Sequence, residues 1–425
     1  MKRLNIIIKN HVLFVLFALV LGAMAGAVVW IFCALMNIGI ELIWNYLPNA
    51  LHLPFFYPIV FCVLGGLVLG LFQHKFGVYP ETLTKVMQRV GKEHRYPYDN
   101  IWVIFFAALL PLIFGASIGP EAGLTGAIAG LCTWIGDRFK YAGKETKNLA
   151  QIGTAATLSV VFGAAPLFGL LSPLELSGEN SENIIPKTSK IIIYFSAILG
   201  ALFSFGGLNI LLPFSKGFPR FDSPASVGKN EILWLIPIAL IGVLAGLLYF
   251  AAVKLVNAFF GLFKSSIIGK ALFGGLLLGL VGCLLPYTMF SGEHQMGILM
   301  TNWQQIGFWI LLLTGIIKLF MVNICVSSGF RGGNIFPVIF SGVSIAYALA
   351  LVLPVDPIFI VTILTAGLTG TVMRKPLLVV LVLLICFPVD SILFLFIAVI
   401  IGCTIPVPKF LKDKKELAKA EESVE

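Results

Sequence analysis

The sequence predicts an all-α polytopic membrane protein, and three observations lead to that fold class. Of its 425 residues, 59% are hydrophobic and only 12% are charged. Apolar runs recur along the chain with lengths near the about 20 residues that a helix needs to cross a bilayer. The 43 glycines and 22 prolines interrupt these runs, so we expect several helices to be broken within the membrane. The runs lie at 12–33, 55–72, 101–114, 190–213, 232–253, 307–325 and 377–402.

The runs and the charges exclude two other classes of protein. The apolar runs are continuous blocks, whereas the strands of an outer-membrane barrel alternate apolar and polar residues. The formal net charge of +9 could suggest a nucleic-acid partner, but the basic residues are gathered in loops and at the chain ends. The positive-inside rule places such segments in the cytoplasm. We therefore expect the lipid bilayer as a partner, no nucleic acid, and both termini in the cytoplasm.

Sequence features of enzymes and metalloproteins are missing. The seven cysteines lie in or beside apolar runs and have no CxxC spacing, which argues against a zinc site or a disulfide framework. The chain also has no phosphate-binding loop, catalytic triad or cluster of metal ligands. We expect neither an enzyme nor an ATP-driven pump, with no metal and no resident cofactor.

The two halves of the chain resemble each other. Each half contains an interruption rich in small residues, followed roughly 40 residues on by a helix that opens with Pro-Leu. The first half has GASIGPEAG and then FGAAPLFGLL, and the second has SSGFRGGNIFP and then VMRKPLLVVL. Interruptions at corresponding positions of two repeats predict a transport site between them. We predict one transmembrane domain over 1–425, with repeats at 12–213 and 232–408 and a short cytoplasmic tail at 409–425.

The two interruptions are suited to binding an anion. A helix that begins within the membrane points its first unpaired N–H groups, and the positive end of its dipole, into the protein. Small residues let this backbone approach an ion closely. Amide dipoles also release an anion faster than a fixed Lys or Arg charge would. The candidate anion-binding residues are Ser117, Gly119, Ala122, Gly333, Asn334, Ile335 and Phe336.

These motifs resemble the signatures of the CLC family of chloride channels and chloride/proton exchangers. GASIGPEAG is similar to the family's GxSxGxEGP, and SSGFRGGNIFP is similar to SSGxxGGxFxP. FGVYPE lies where the family has GSGIPE, and FGAAPLFGLLSPLEL resembles FNAPLxGxxFxxE. The matches occur in the family's order over residues 15–405. The resemblance implies the inverted-repeat chloride-channel fold with broken, tilted helices, a homodimer, and the bacterial inner membrane.

The resemblance also assigns a role to Glu121, which stands at the position of the family's gating glutamate. It implies that this carboxylate projects into the anion path, competes with the ion for the same amides, and swings out when it is protonated. Small inorganic anions, with a bound chloride or other halide, are then the ligands. The residues alone leave a second interpretation, in which Glu121 caps the helix that it begins. Its depth in the membrane favours the gate.

The chain departs from the family pattern at the central anion site. Gly77 replaces a serine whose hydroxyl holds the ion, and Tyr79 is the nearest residue that could replace that hydroxyl. The family's tyrosine near the end of the chain has no counterpart, because the last tyrosine is Tyr347. The central site should therefore rest mainly on the amides of Asn334 and Ile335, with Gly77 and Tyr79 as further candidates.

A second departure concerns the proton path. In proton-coupled members of the family, a glutamate directly follows the acid that corresponds to Glu175, and here that place is Leu176. The residues leave open a passive channel and an exchanger whose protons travel through water and Glu175.

Three alternatives remain at the level of sequence. Asn334 resembles fluoride-selective relatives of the family, which also depart from the usual central serine. These relatives carry a methionine at the place of Gly77. The missing hydroxyls are compatible with a membrane sensor or scaffold that keeps the fold and does not conduct. An unrelated inverted-repeat fold that carries another solute would show similar interruptions.

Overall fold

The computed structural model describes residues 2–138, 149–162, 166–176, 188–214, 219–221, 223, 225–263 and 266–411. Within these ranges, side chains are described everywhere except at 2–11, 172–176 and 188–190. Most of the predicted tail at 409–425 lies outside the described residues.

The described residues form 17 α-helices, and their only β-type pairing is a single isolated bridge. The helices are α1 (Lys2–Glu41), α2 (Leu47–Ala50), α3 (Tyr57–Phe76), α4 (Leu83–Glu93), α5 (Ile101–Ile113), α6 (Glu121–Arg138), α7 (Leu149–Val161), α8 (Pro166–Leu176), α9 (Thr188–Leu211), α10 (Lys229–Gly261), α11 (Ile267–Leu284), α12 (Glu293–Ile306), α13 (Phe308–Ser328), α14 (Ile335–Ala350), α15 (Pro357–Met373), α16 (Pro376–Cys386) and α17 (Ile392–Thr404). A π-helical turn links α1 to α2, and 3₁₀ turns occupy Pro286–Thr288, Val389–Ser391 and Lys409–Leu411.

The lengths of the helices confirm a multi-pass membrane protein built from complete and broken spans. Six stretches in the described part of the chain are long and apolar enough to cross a bilayer, and six further apolar helices are shorter. The six long stretches are Val12–Ala50, Tyr57–Phe76, Ile191–Leu211, Lys229–Gly261, Ile267–Leu284 and Phe308–Ser328. Helices that end within the membrane leave polar backbone groups that only protein can satisfy, so their ends must be buried.

Two apolar runs have different boundaries from those that the sequence indicates. The first run extends well beyond 12–33, because α1 continues to Glu41 and joins α2 through a π-helical turn. The run at 377–402 is instead split: α16 ends at Cys386, and α17 begins at Ile392. Pro388 lies in extended backbone between them, where a proline cannot continue the hydrogen bonding of a helix.

Small residues allow the helices to pack closely. Gly22 and Gly26 of α1 lie against the backbone of Ala197 and Ala201 on α9, with no space for a methyl group at either glycine. Close approach of backbones is a common way for helices to associate in lipid, where burial of apolar surface gives little net gain. The helix pairs α3–α11 and α10–α15 use glycines in the same way.

The buried side chains form two large apolar clusters, one dominated by each half of the chain. Both clusters also contain residues from the opposite half: Phe162 and Phe168 belong to the cluster of the second half, and Met321 and Phe330 to that of the first. The two halves therefore interlock instead of touching along a flat surface. Both main interruptions lie at this junction.

Candidate anion site

The two predicted interruptions lie side by side. The first separates α5 from α6, and the second separates α13 from α14. At their point of contact Gly119 and Gly333 exchange two backbone hydrogen bonds, each with an N···O distance of 2.8 Å. The pairing joins the halves at the places where two helices begin.

Each interruption starts with a glycine in the left-handed region of backbone space. Gly115 follows the end of α5 with φ of +81°, and Gly329 follows the end of α13 with φ of +106°. Residues with a Cβ rarely adopt this conformation, whereas glycine adopts it easily and often ends a helix. Four residues after each of these glycines comes the glycine of the bridge, Gly119 or Gly333.

The Glu121 side chain leaves its own helix and reaches the other half of the protein. It is fully buried, with 0% of its surface exposed. Its Oε1 accepts a hydrogen bond of 3.1 Å from the backbone N–H of Ile335, the first residue of α14. Its Oε2 is buried without a hydrogen-bond partner among the described residues. This geometry agrees with a carboxylate that occupies an amide site and differs from a side chain that only caps α6.

The two bridge glycines make room for this carboxylate. A Cβ at Gly119 would collide with Oε2 of Glu121, and a Cβ at Gly333 would collide with Oε1 and the carbon atoms beside it. The carboxylate therefore lies directly over the paired backbone of the two interruptions. Glycine is required at both positions to leave this space.

The interruptions match each other residue by residue. Glu121 and Ile335 are 214 positions apart, and the same separation relates Gly115 to Gly329 and Gly119 to Gly333. An acid in the first half thus meets the amide of the corresponding residue in the second half. This relation supports two related repeats, although it does not define the predicted boundaries at 12–213 and 232–408.

Two further predicted anion-binding residues lie close to Glu121 in the sequence, and both are buried. Ser117 is 0% exposed, and its hydroxyl has no partner among the described residues. Ala122 is the second residue of α6 and is also buried. A buried hydroxyl without a partner is costly, so Ser117 offers an unused donor close to the interruption.

The second interruption contains a polar contact that the sequence does not reveal. The Asn334 side chain donates its Nδ2–H to the hydroxyl oxygen of Tyr249 on α10, at 2.9 Å. Tyr249 is 8% exposed. Because its oxygen accepts from Asn334, its own O–H proton remains able to donate. Tyr249 lies in an uninterrupted apolar helix, where neither spacing nor a neighbouring motif indicates a site.

Aromatic residues close one side of the site. Phe336, the second residue of α14, packs on Phe162 with ring centroids 5.0 Å apart, and Phe162 packs on Phe168 at 4.3 Å. A small recess beside them is lined by Phe162, Phe336, Val382, Ile385 and Cys386. This lining is apolar and offers no polar group that could replace the water around an ion.

Gly77 and Tyr79 lie at a third interruption, between α3 and α4. Gly77 ends α3 with φ of +92° and is exposed, and Tyr79 packs on a small apolar cluster that contains Val86 and Tyr96. The hydrogen bond that is described for the Glu121 carboxylate comes from Ile335 and involves neither of these residues. Their part in anion binding stays a prediction.

The predicted proton-path residue, Glu175, lies in the last turn of α8 with Leu176 beside it. Its side chain is outside the described residues. The role of Glu175 in a proton path therefore stays a prediction.

Comparison with known proteins identifies the family. Residues 65–406 match the family described as voltage gated chloride channel, which covers most of the chain. This chain belongs to the voltage-gated chloride channel family. The resemblance seen in the sequence motifs is thereby confirmed.

Relatives of this family member are found among bacterial transport proteins. The chain is 25% identical over 352 residues to the ion-transport protein YfeO of Escherichia coli O17:K52:H18, covering 80% of this chain and 79% of the relative. YfeO of Escherichia fergusonii is 24% identical over 352 residues, covering 80% of this chain and 79% of the relative.

Solved structures of the family have the same fold. A slow cyanobacterial Cl⁻/H⁺ antiporter superimposes with a TM-score of 0.76 at 18% identity, covering 96% of this chain and 98% of that one. A CLC-type fluoride/proton antiporter gives a TM-score of 0.72 at 20% identity, with coverages of 93% and 96%. At such identities the superpositions establish the chloride-channel fold and leave the transported ion open.

Proposed function

We propose that this protein transports small anions, with chloride as the leading substrate, across the membrane through a path gated by Glu121. Membership of the voltage-gated chloride channel family supports anion transport. The observation that carries the proposal is the hydrogen bond from the Ile335 N–H to the buried Glu121 carboxylate. A site that holds a carboxylate at a helix start has the chemistry to hold a free anion.

The gate works by competition for one group of amides. While Glu121 is ionised, its carboxylate is the anion that the start of α14 binds. Protonation removes this negative charge, and with it the stronger, charge-assisted form of the hydrogen bond from Ile335. The neutral side chain then yields its place to an ion from solution. The Gly119 and Gly333 backbone provides the space in which this exchange occurs.

The site attracts an anion without holding it too tightly. The N-terminus of α14 contributes the equivalent of roughly half a positive charge. Full charges are carried by Arg331 in the second interruption and Lys318 on α13, and neither forms a described hydrogen bond or ion pair with Glu121. Binding by dipoles allows release, which a conducting path requires.

Asn334 and Tyr249 suggest the second candidate function, a fluoride-selective transporter of the same fold. Fluoride is a small and strongly hydrated ion, so a site that takes it must supply strong hydrogen-bond donors. The Tyr249 hydroxyl, held by Asn334 at 2.9 Å, is such a donor, and Asn334 directly precedes Ile335 in the chain. The Glu121 gate is common to both candidates.

The proposal includes the assembly and location of the protein. We place it as a homodimer in the bacterial inner membrane, with both termini in the cytoplasm and one anion path in each subunit. Residues 12–213 and 232–408 form the repeats, and the basic loops account for the orientation. Apart from the transported ion, no cofactor, metal or catalytic activity is part of this proposal.

Anion efflux from liposomes tests the proposed function. Purified protein is reconstituted in chloride-loaded vesicles, and efflux is compared for wild type, Glu121→Gln and Glu93→Gln. Glu93 is a matched control, because its side chain is 63% exposed at the end of α4. We expect efflux from wild type, an altered rate for Glu121→Gln, and a wild-type rate for Glu93→Gln. Absence of efflux, or equal rates for all three proteins, would contradict the proposal.

Two further measurements on the same vesicles separate the alternatives. An outward chloride gradient that drives proton uptake indicates an exchanger, whereas chloride flux without proton movement indicates a passive channel. Replacing chloride by fluoride gives the preferred ion. Anion binding by calorimetry without flux of either halide would indicate a sensor or scaffold, and movement of an organic anion alone would indicate a carrier of another solute.

A further inference from the structure

Lys318 is a fully buried cation in the second half of the protein. It lies on α13 with 0% of its surface exposed. Its Nζ is within hydrogen-bond distance of four consecutive carbonyl oxygens, those of Tyr287 (3.4 Å), Thr288 (3.2 Å), Met289 (3.1 Å) and Phe290 (2.9 Å). It also lies 4.6 Å from the centre of the Phe340 ring.

No acid is paired with this ammonium group among the described residues. The described ion pairs involve Glu81, Glu93 and Asp137, and none of them includes Lys318. A buried charge is costly unless dipoles or an opposite charge compensate it. Here four carbonyl dipoles and the negative face of an aromatic ring provide that compensation.

The carbonyl groups depend on the ammonium group in turn. Segment Tyr287–Phe290 turns its four carbonyls towards one point, because it begins within the 3₁₀ turn Pro286–Thr288 and ends at Phe290 with φ of +59°. Carbonyl oxygens gathered in this way repel each other and require a shared donor or cation. Lys318 supplies both the charge and the hydrogen bonds.

The same segment holds the first interruption in place. The N–H of Phe290 donates to the carbonyl oxygen of Gly115 at 3.0 Å. The Phe290 ring packs on Trp44 with centroids 5.3 Å apart. A Cβ at Gly115 would lie 2.7 Å from Met289 and 2.8 Å from Trp44, so Gly115 fits tightly between these residues.

A comparable contact holds the second interruption. Gln73 of α3 is 2% exposed and donates its Nε2–H to the carbonyl oxygen of Gly329 at 2.5 Å. Gly329 corresponds to Gly115, so the leading glycine of each interruption is bound by a donor from the opposite half. At Gly115 this donor is the backbone N–H of Phe290, and Lys318 binds the segment that contains Phe290.

We infer that Lys318 is a positioning residue for the anion site. Its ammonium group holds segment Tyr287–Phe290, the segment holds Gly115, and Gly115 begins the stretch that ends at Glu121. Loss of the ammonium group releases this segment and moves the start of α6 relative to Ile335. The consequence for transport rests on the proposed function, whereas the structural coupling does not.

Hydrogen exchange tests the coupling without reference to transport. Amide exchange is compared for wild type, Lys318→Met and the milder Lys318→Gln, which keeps two donors. Lys254→Met is the matched control, because Lys254 donates to one carbonyl, that of Phe410, on an exposed surface. We expect exchange to rise about tenfold or more at 287–290 and 113–118, with little change at 329–332. Unchanged exchange, or a uniform rise over the whole chain, would overturn the inference.

Transport kinetics test the positioning role separately. We expect Lys318→Gln to raise the half-saturating chloride concentration about tenfold, with a smaller effect on the maximal rate. A lower maximal rate with an unchanged half-saturating concentration would overturn the positioning role. If wild type carries no anion, the proposed function fails, and hydrogen exchange alone then decides the role of Lys318. Lys318→Gln covers the case in which Lys318→Met does not fold.

Discussion

The Oε1 atom of Glu121 lies 3.1 Å from the backbone nitrogen of Ile335, the residue 214 positions further along the chain. The two residues begin corresponding helices in the two halves of the protein. The first half places an acid at this position and the second half an apolar residue, so one side of the site carries the charge and the other donates a backbone N–H to it. In the proposed function, this difference is what lets one side of a symmetric junction act as the gate.

Glu121→Gln should remove the pH dependence of transport. If Glu121 is the proposed gate, acidification of wild type adds a proton to it and removes the charge that competes with the anion, so flux should increase as pH falls. Glutamine has a similar shape and no charge at any pH, so its flux should be high and constant. Efflux measured from neutral to acidic pH checks this. A glutamine variant that retains the pH response of wild type would assign the response to another group.

Gly333→Ala should reduce transport about tenfold or more. The added methyl group would occupy the place in which the Glu121 carboxylate lies over the bridge, and an overpacked site of this kind costs about 1–3 kcal/mol. Gly206→Ala on α9 is the control, since, apart from its chain neighbours and the backbone of its own helix, no atom of the described residues lies within 4 Å of the corresponding Cβ position. Equal transport by the two alanine variants would show that Gly333 does not border the anion path.

Tyr249→Phe should weaken anion binding. The change removes the hydroxyl donor and leaves the Asn334 side chain without its partner, at a cost of about 1 kcal/mol in stability. Tyr194→Phe is matched, because Tyr194 is equally buried and donates one hydrogen bond, to Gln151 at 3.1 Å. Calorimetry with chloride and fluoride should show weaker binding for Tyr249→Phe alone. Similar affinities for both variants would remove Tyr249 from the site.

Tyr96 should make the stability of the protein sensitive to alkaline pH. It lies in the loop between α4 and α5, where burial raises the pKa of its phenol and the Glu81 carboxylate raises it further. The folded protein therefore holds this proton more tightly than the unfolded chain, so stability should fall as pH rises above about 10, the ordinary pKa of tyrosine.

Thermal unfolding in detergent at neutral and alkaline pH measures this effect. Tyr96→Phe should unfold with a smaller loss of stability between the two conditions than wild type. It should also lose the hydrogen bond from the phenol to Glu81, which is 3.1 Å long. If the variant and wild type lose the same stability, other groups must account for the alkaline sensitivity.

The sequence predicts the anion site where local composition determines the backbone. Gly115, Gly119, Gly329 and Gly333 interrupt apolar runs, and lipid tolerates such interruptions only where they are buried, so their meeting could be anticipated. The position of Glu121 followed from the motif around it. A continuous run such as 377–402 was harder to interpret, because Pro388 alone marks its division.

The residues that support the site could not be predicted in this way. Gln73, Tyr249 and Lys318 each lie within a long helix, and each acts on a segment distant in the chain. Their roles depend on which helices become neighbours, and the periodicity of a single helix does not contain that information. Lys318 shows this most clearly, since its four partners begin 31 residues before it and share no motif with it.

The pairing of Gly119 with Gly333 limits how the protein can expose its site to each side of the membrane. A rocking motion of one half against the other, as many carriers use, would pull these two strands of backbone apart. In an environment without water each broken amide–carbonyl bond costs about 4–6 kcal/mol, and here there are two. Access should therefore change through small movements of the Glu121 side chain while the scaffold stays closed. An engineered cross-link between the two halves should then leave turnover largely intact.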